Sequence, residues 1–458
     1  MRNTTIIKLA TAAVILAMTT SCNIYKKYST PTDTPMIQAF VEAKQNPDTT
    51  SFGYMRWENI FTDPVLQGYI NRALNNNISL RDAQYNIELA HAQLKGARMS
   101  YFPSVALTPN GAGASYAGSN MTWTYQIPLS VSWEIDLFAK LLNKNRSAEI
   151  SEETARYYAK AVRSQIIAGV ANTYYAIASV ESQLALSRST ALLWEKSVQT
   201  MKDLFEAGRT NQAAVVQFEA NYQSVLASIT DLEITRHQLN NTMSVLLGTM
   251  PEEFFVAADA TLNVPQIFVP GVPMAYLANR PDVMVAERGL ATAYYATNSA
   301  RAAFYPGLTI SANGGFTNLL GSIIKNPGDW FIQLAGSLTA PLFARGQNIA
   351  QLEAAKINQK IAMDKFESTV MSGASEVSNA LVTYQKAGER AEHLSQQVDL
   401  LQKSVEYTND LLVYSNGTYL EVLTAQQSLL QAQMNLLNCA LTRAQAVINL
   451  YQAMGGGN

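Results

Sequence analysis

Two stretches of the chain alternate apolar and polar residues with the two-residue period of a β-strand. From Thr122 to Leu137 the odd-numbered residues are apolar, and the even-numbered residues are polar except for Pro128. The segment from Trp330 to Leu342 repeats this alternation less strictly. Shorter apolar alternations precede them, at residues 105–107 and 308–310. Because successive side chains of a strand point to opposite faces, the pattern predicts four strands, each with one apolar and one polar face.

The four predicted strands form two pairs, within residues of about 103–137 and 306–342. Segments rich in glycine and asparagine, 110–120 and 313–329, are expected to join the strands of each pair. A tilted strand of about 9–11 residues crosses an outer membrane, so these strands are long enough to do so. A soluble sheet packed on helices is the alternative. Four aromatic residues are candidates for an outward, lipid-facing surface: Trp123, Tyr125, Trp133 and Trp330.

Each strand pair is followed by a long stretch without proline, at residues 129–250 and 342–458. Proline costs about 3 kcal/mol inside a helix, and both stretches are rich in Ala, Gln, Leu, Glu and Ser, so both predict helix. Gly208 and Gly417 lie near their middles, where glycine can end a helix in the left-handed conformation. The pattern therefore predicts two helical hairpins, at about 139–250 and 344–453, with turns at 204–212 and 407–419.

The predicted helices are far longer than those of ordinary globular proteins. Residues 139–207 make 69 residues, or roughly 100 Å of helix at 1.5 Å per residue. In the last helix, apolar residues alternate spacings of four and three, as in a coiled-coil seam. That seam comprises Leu430, Met434, Leu437, Leu441, Ala444, Ile448 and Tyr451, and a second stripe comprises Val422, Leu429, Leu436 and Leu450. Two seams predict packing against two neighbouring helices, although a plain helical bundle has the same periodicity.

The two halves of the chain are variants of one plan. Residues 97–103, ARMSYFP, are echoed by residues 300–306, ARAAFYP, at an offset of 203. Residues 137–140, LFAK, are echoed by residues 342–345, LFAR, at an offset of 205. Similar motifs at nearly constant spacing predict two structural repeats.

The N-terminus has the layout of a secretory signal peptide, predicted at residues 1–21. Arg2 and Lys8 precede a short apolar run that ends in small residues, and Cys22 follows directly. This order resembles a bacterial lipobox, in which the cysteine is acylated, although Thr19 stands where leucine is usual. An ordinary signal peptide with an incidental cysteine is the alternative. The other cysteine, Cys439, is expected to be a buried free thiol.

Composition, charge and the absence of known motifs argue against several classes of function. Charged residues are 15% of the chain, below the roughly 25% of an average soluble domain, and the net charge is −2. Without a basic block, nucleic acid is not expected as a partner. No two of the three histidines stand at metal-ligand spacing, so no metal site is predicted. The chain has no P-loop, nucleophile elbow or credible pair of catalytic carboxylates, so no enzymatic activity is predicted.

Four strands cannot close a barrel on their own. An open sheet edge in lipid leaves backbone groups unpaired, at a cost of several kcal/mol each. If these strands enter a membrane, several chains must therefore share one barrel. The hydrogen-bond argument requires oligomerisation and leaves the number of chains open.

The motifs resemble those of the TolC-like outer-membrane factor family, in its lipoprotein branch. The resemblance rests on residues 73–83, 133–138, 279–283 running into 300–306, and 419–426, and it covers about residues 57–453. It implies a mainly α fold with a β-barrel part: a homotrimer with a shared 12-stranded barrel and a periplasmic α-barrel. It further implies a lipid-anchored segment at 22–56, repeats at 57–250 and 275–458, and an equatorial linker at 251–274.

The family resemblance also implies a function and partners. Members are passive exit ducts in the Gram-negative outer membrane, which receive small molecules from an inner-membrane pump, here expected to be proton-driven, through a periplasmic adaptor. The cofactor expected is only the covalent lipid on Cys22. Protein export in type I secretion and a non-conducting trimeric coiled-coil stalk are the alternative functions.

The resemblance places the adaptor contact and the gate at the hairpin turns. Gly208, Arg209, Asn416 and Gly417 are the candidate adaptor contacts. Tyr407, Asp410 and Tyr414 are the candidate gate, and the alternative for Asp410 is a solvated helix residue. The second turn is shorter here than in many members.

Overall fold

The computed structural model describes residues 25–32, 34–45, 52–115, 118, 120–256, 274–319, 329–340, 345–414 and 418–457. The predicted signal peptide, Cys22, Asn416, Gly417 and most of the predicted linker 251–274 lie outside these residues. The described helices and strands are α1 (Pro35–Gln45), α2 (Trp57–Ile60), α3 (Pro64–Asn76), α4 (Ile78–Met99), β1 (Ser104–Leu107), β2 (Asn110–Ala114), β3 (Thr122–Ile135), α5 (Lys140–Glu206), α6 (Gln212–Leu247), α7 (Pro281–Ala302), β4 (Gly307–Leu319), β5 (Asp329–Thr339), α8 (Gln347–Tyr414) and α9 (Tyr419–Ala453). Short 3-10 helices occupy Phe52–Tyr54 and Met274–Asn279.

The chain divides into two compact units, and each unit draws on both halves of the sequence. The first comprises the described residues within 1–31, 85–156 and 285–368, and includes all the described strands. The second comprises residues 32–84, 157–284 and 369–458, and consists of helices.

The predicted helical hairpins are confirmed. The helices α5 and α8 have 67 and 68 residues, and their partners α6 and α9 have 36 and 35. In the second unit, α9 packs with both of its apolar stripes. Ala444, Ile448 and Tyr451 join a core with α5 and α6, whereas Leu436 and Cys439 pack against Ala387 and Leu394 of α8. Val422 of the second stripe, however, packs with α5 and α6 together with Leu430 of the first, so the prediction of two separate seams is confirmed only at Leu436.

The sheet in the first unit is antiparallel throughout. The strand β3 pairs with β1 and β2 on one side and with β4 on the other, and β4 also pairs with β5. The central ladder, from Thr124 opposite Leu319 to Ile135 opposite Leu308, joins the two repeats. Directly opposed residues have side chains on the same face. Because Trp133 is opposite Ile310 and Leu334 is opposite Ala312, the register collects the apolar positions on one face.

Two expectations about the strands are wrong. The glycine- and asparagine-rich stretches were expected only to join strands, but residues 110–114 form β2 and residues 313–319 continue β4. Their backbone groups pair with β3 and β5, and this pairing outweighs the low strand propensity of glycine and asparagine.

Moreover, the first strand is split in two at Thr108 and Pro109, because proline has no N–H to donate to the ladder. Both pieces keep one continuous register on β3.

Candidate functional site

The first candidate site is the apolar face of the sheet. Trp330 is 72% exposed and Leu334 is 78% exposed, both on β5, and Trp123 of β3 is exposed as well. Trp133 is also exposed, but its indole N–H donates a hydrogen bond to the carbonyl oxygen of Tyr101 at 2.9 Å. A contiguous surface of large exposed apolar side chains is typical of a membrane or protein interface.

Tyr125 differs from the other three predicted lipid-facing aromatics. Its side chain is only 6% exposed within this chain, so the expectation of an exposed ring is wrong here. It lies on the inner strand β3, between Trp123 and Ile127 on the same face, and has β2 and β4 on its two sides. Its directly opposed residues, Gly111 of β2 and Asn318 of β4, are not large, and alternation alone does not predict the burial of the ring.

Left-handed residues directly precede the first long helix of each hairpin. Ala139 and Arg345 have φ of 58° and 52°, and they are the two positive-φ residues other than glycine in the described part of the chain. The rings of Phe138 and Tyr305, one from each echoed motif, stack with centroids 4.8 Å apart. The carboxylate of Asp136 accepts a hydrogen bond from the Leu142 N–H in the first turn of α5. Residues of the echoed motifs thus contact one another where the strands meet the helices.

The described N-terminal segment, residues 25–31, runs along α7 in the first unit. The Thr30 hydroxyl donates to the Glu287 carboxylate at 2.8 Å, and the Tyr295 hydroxyl accepts from the Tyr28 N–H at 3.1 Å. Further towards the N-terminus, the backbone oxygen of Tyr25 accepts from Arg146 of α5 at 3.3 Å. Burial raises the pKa of the Tyr25 hydroxyl, and the nearby hydroxyl of Tyr305 raises it further. The segment is therefore antiparallel to α7, with its N-terminal end beside α5.

The contact between this segment and α7 is largely buried. The side chain of Glu287 is 2% exposed, and the guanidinium of Arg288 lies 3.3 Å from its carboxylate. Burial, and then the charge of Glu287, raise the pKa of the Tyr28 hydroxyl. The phenol of Tyr28 stays neutral and the carboxylate of Glu287 is paired with Arg288, so the segment is held without an unbalanced buried charge.

The second candidate site is the turn of the first helical hairpin, in the second unit. The helix α5 ends in a Schellman motif, since the Arg209 N–H donates to the Leu204 oxygen at 2.8 Å and the Gly208 N–H donates to the Phe205 oxygen at 2.9 Å. Gly208 has φ of 72°, the left-handed conformation in which a Cβ is costly. Asn211 then caps α6 by accepting from the Ala214 N–H. The predicted turn is confirmed, and Gly208 and Arg209 are exposed there.

The candidate gate residues lie in the last two turns of α8. Tyr407 and Asp410 are exposed, and Tyr414 is the final residue of the helix. Positions three and seven residues apart fall on one side of a helix, so the backbone puts the three in one row. Their assignment as a gate stays a prediction. Asn416 and Gly417 follow outside the described residues, and α9 begins after Thr418.

A buried arginine that the sequence analysis did not single out joins three helices in the second unit. Arg280 donates to both carboxylate oxygens of Asp282, to the Ala453 oxygen at 2.9 Å and to Glu376 of α8 at 2.7 Å. Burial acts to lower its pKa, but the two carboxylates outweigh it and the pKa is raised. Gly455, with φ of 83°, lies against Arg280, where a Cβ would come within 2.9 Å of the Asn279 backbone. The signal available in the sequence was the position of Arg280 directly before Pro281 and Asp282, in the motif at residues 279–283.

Across the described residues, no cluster of three or more His, Cys, Asp or Glu side chains has the arrangement needed to bind a metal ion. Likewise, no helix among them combines the length and the apolar composition needed to span a bilayer.

Paired long helical hairpins and a sheet with an exposed apolar face define the TolC-like class of outer-membrane channels. The crystal structure of CusC, solved in a study of folding and transmembrane channel formation, superposes with a TM-score of 0.80 at 25% sequence identity. The superposition covers 88% of this chain and 94% of that one. The predicted mainly α fold with a β part is confirmed.

The chain belongs to the outer membrane efflux protein family, whose model matches residues 69–249 and 272–456. The toluene efflux pump outer membrane protein TtgC of Pseudomonas putida is 30% identical over 99% of this chain and 95% of the relative. SilC of Salmonella typhimurium, named a probable outer membrane lipoprotein, is 28% identical over 98% of this chain and 99% of the relative. The protein is thus an efflux channel component of the outer membrane, in a family of channels rather than enzymes. These relatives give no specific support to protein secretion.

Proposed function

We propose that three copies of this chain form one lipid-anchored duct, through which small molecules leave the cell. The observation that carries this proposal is the sheet of the first unit, which has an exposed apolar face and two open edges, at β1–β2 and at β5. Open edges are untenable in lipid, and closed membrane barrels have at least eight strands. With four strands per chain, two copies would give eight and three would give twelve; the family resemblance favours three. The polar face would then line the duct.

The proposed duct is passive and works with two other proteins. TtgC is named as the outer membrane protein of an efflux pump, which supports an inner-membrane pump and a periplasmic adaptor as partners. Gly208, Arg209, Asn416 and Gly417 at the hairpin turns would meet the adaptor, and Tyr407, Asp410 and Tyr414 would form the gate. The pump is proposed to be proton-driven.

The proposed lipid on Cys22 is supported by the position of the N-terminal segment. The backbone oxygen of Tyr25 accepts from Arg146 in the second turn of α5, the helix that follows β3, and Cys22 precedes Tyr25 by only three residues. An acyl chain on Cys22 would then start close to the membrane strands. The lipoprotein name of SilC agrees with this. Mass spectrometry of the purified N-terminal peptide should find diacylglycerol and an acyl chain on Cys22, and an unmodified Cys22 in the mature protein would contradict the proposal.

Planar-bilayer conductance of the purified protein, with the mass measured on the same sample, tests the duct. We expect a homotrimer with discrete, small openings, and more frequent openings after Asp410→Ala. Asp203→Ala is the matched control, because it removes one exposed carboxylate next to the other hairpin turn. A monomer, or a trimer that does not conduct, would contradict the duct. A conducting trimer with equal effects of the two substitutions would contradict only the gate at Asp410.

A further inference from the structure

The second unit contains a cleft of about 460 Å³ between its two helical hairpins, near their turns. Its walls come from α5, α6, α8 and α9, all within this unit. Trp194 and Phe218 form the apolar end, with ring centroids 5.5 Å apart, and both side chains are buried. Sites for small molecules commonly have 300–1,000 Å³ and aromatic walls. The cleft therefore has the size and lining of a ligand site.

The cleft also holds an acceptor that lacks a partner. The amide oxygen Oε1 of Gln426 is buried and accepts no hydrogen bond from the described residues, while the amide nitrogen makes one long contact, 3.5 Å, to the Ser197 hydroxyl. Buried polar atoms almost always have partners, because an unpaired one costs about 1–3 kcal/mol. A guest with an N–H or O–H group would satisfy this oxygen.

The charges of the lining restrict the class of guest. Lys196 is the one charged residue among the lining side chains, and no carboxylate lines the cleft. A cationic guest would lose water without gaining an opposite charge, so cations are disfavoured. The remaining polar groups are amides and hydroxyls, among them Gln402, Asn409 and Gln433. These groups suit a neutral molecule.

We propose that this cleft binds neutral aromatic molecules that carry an N–H or O–H donor. The aromatic body lies against Leu430, over the floor that Trp194 and Phe218 form, and the donor bonds to Gln426 Oε1. Because the cleft is built by one chain, binding can be measured apart from conduction. The site lies among the four hairpin helices, and Val405, Asn409 and Leu412 of its lining are close in sequence to the proposed gate residues of α8.

Energy transfer from tryptophan to N-phenyl-1-naphthylamine tests the proposal. This probe is a neutral arylamine with one N–H, and its absorption overlaps tryptophan emission. The full-length trimer is used in lipid nanodiscs, with empty nanodiscs as the background. We expect saturable quenching of tryptophan emission that falls by more than half after Trp194→Phe. The chain has five tryptophans, so equal contributions would lower quenching by only about one fifth.

The donor requirement is tested with a matched probe and matched variants. In 1-benzylnaphthalene a CH₂ group replaces the N–H. This hydrocarbon absorbs at too short a wavelength to accept energy from tryptophan, so its binding is measured by its displacement of the arylamine. Gln426→Leu should weaken binding of the arylamine about tenfold, as expected for one hydrogen bond, and leave the hydrocarbon unchanged. Gln431→Leu is the control, because Gln431 is an exposed amide on the same helix outside the cleft. Trimer mass and melting are measured for each variant.

Three results would overturn the proposal. One is quenching that rises without saturation and persists in Trp194→Phe, as expected for a probe dissolved in lipid beside the tryptophans of the sheet. The second is equal affinity of both probes for the unaltered protein. The third is an equal effect of Gln426→Leu and Gln431→Leu in folded trimers. Conductance without any probe is recorded in parallel, so a failed duct and a failed cleft give different results.

Discussion

A lysine on the apolar face of β5 should oppose membrane insertion, whereas a lysine on the other face of the same strand should not. Leu334 is the sixth residue of the 11-residue strand Asp329–Thr339, and it is 78% exposed on the apolar face. Gln333 precedes it, points to the polar face and is also exposed. The pair Leu334→Lys and Gln333→Lys therefore adds the same charge at the same depth to opposite faces.

The size of the effect follows from the position in the strand. A lysine facing lipid near the bilayer midplane costs about 2–4 kcal/mol. The middle of β5 is the place nearest the midplane, if the strand spans the membrane. With three chains in one barrel, Leu334→Lys would then destabilise the trimer by about 6–12 kcal/mol. Gln333→Lys faces the aqueous duct and should change the stability by less than about 1 kcal/mol per chain.

Urea-dependent folding into phosphatidylcholine vesicles measures both variants. The folded fraction is followed by the gel mobility shift between unheated and heated samples. We expect Leu334→Lys to lower the urea midpoint strongly or to abolish insertion, and Gln333→Lys to keep the midpoint of the unaltered protein. Equal midpoints for the two variants, or a lower midpoint for Gln333→Lys, would refute the assignment of the apolar face to lipid.

Three further changes test individual contacts. Gly208→Ala should lower the free energy of unfolding by about 1–2 kcal/mol, because alanine is strained at φ of 72°. Thermal melting and limited proteolysis at the turn measure this, with Gly68→Ala inside α3 as the unstrained control. Arg280→Met should lower the free energy of unfolding by about 1–3 kcal/mol, because the Ala453 oxygen loses its donor. An unchanged melting temperature would contradict the role of Arg280 in joining the helices. Cys439 should stay unreactive towards a thiol reagent at pH 8 until the protein is denatured. Burial raises the pKa of its thiol, and the thiol donates to the Ala387 oxygen. Fast labelling of the folded trimer would contradict its burial.

The long hairpins and the strands could be predicted because their signals are local and repeated. The absence of proline over more than a hundred residues in each half and the alternation from Thr122 to Leu137 each leave few alternatives. Gly208 was identifiable for a similar reason, because a glycine between two helical patterns is a frequent helix end. Helices α3 and α7 were missed, although Pro64 and Pro281 in their first turns are typical helix starts.

Contacts between distant parts of the chain could not be predicted from local pattern. Arg280 bonds to the Ala453 oxygen across 173 positions, and Tyr28 contacts Tyr295 across 267. No periodicity connects such pairs, because their proximity depends on how the helices pack. The burial of Tyr125 was missed for the same reason, since alternation identifies a face of the sheet but not how crowded that face is.

The split first strand decides whether copies of the sheet can join in a ring. If β1 and β2 were independent strands, the sheet would have five, and its first and last strands would run in the same direction. Both pieces, however, keep one register on β3 across Pro109, so they act as one strand and the sheet has four. Its outer strands, β1–β2 and β5, then run in opposite directions, because every neighbouring pair is antiparallel. The β5 edge of one copy can therefore pair antiparallel with the β1–β2 edge of the next, and the alternation continues around a ring of any number of copies.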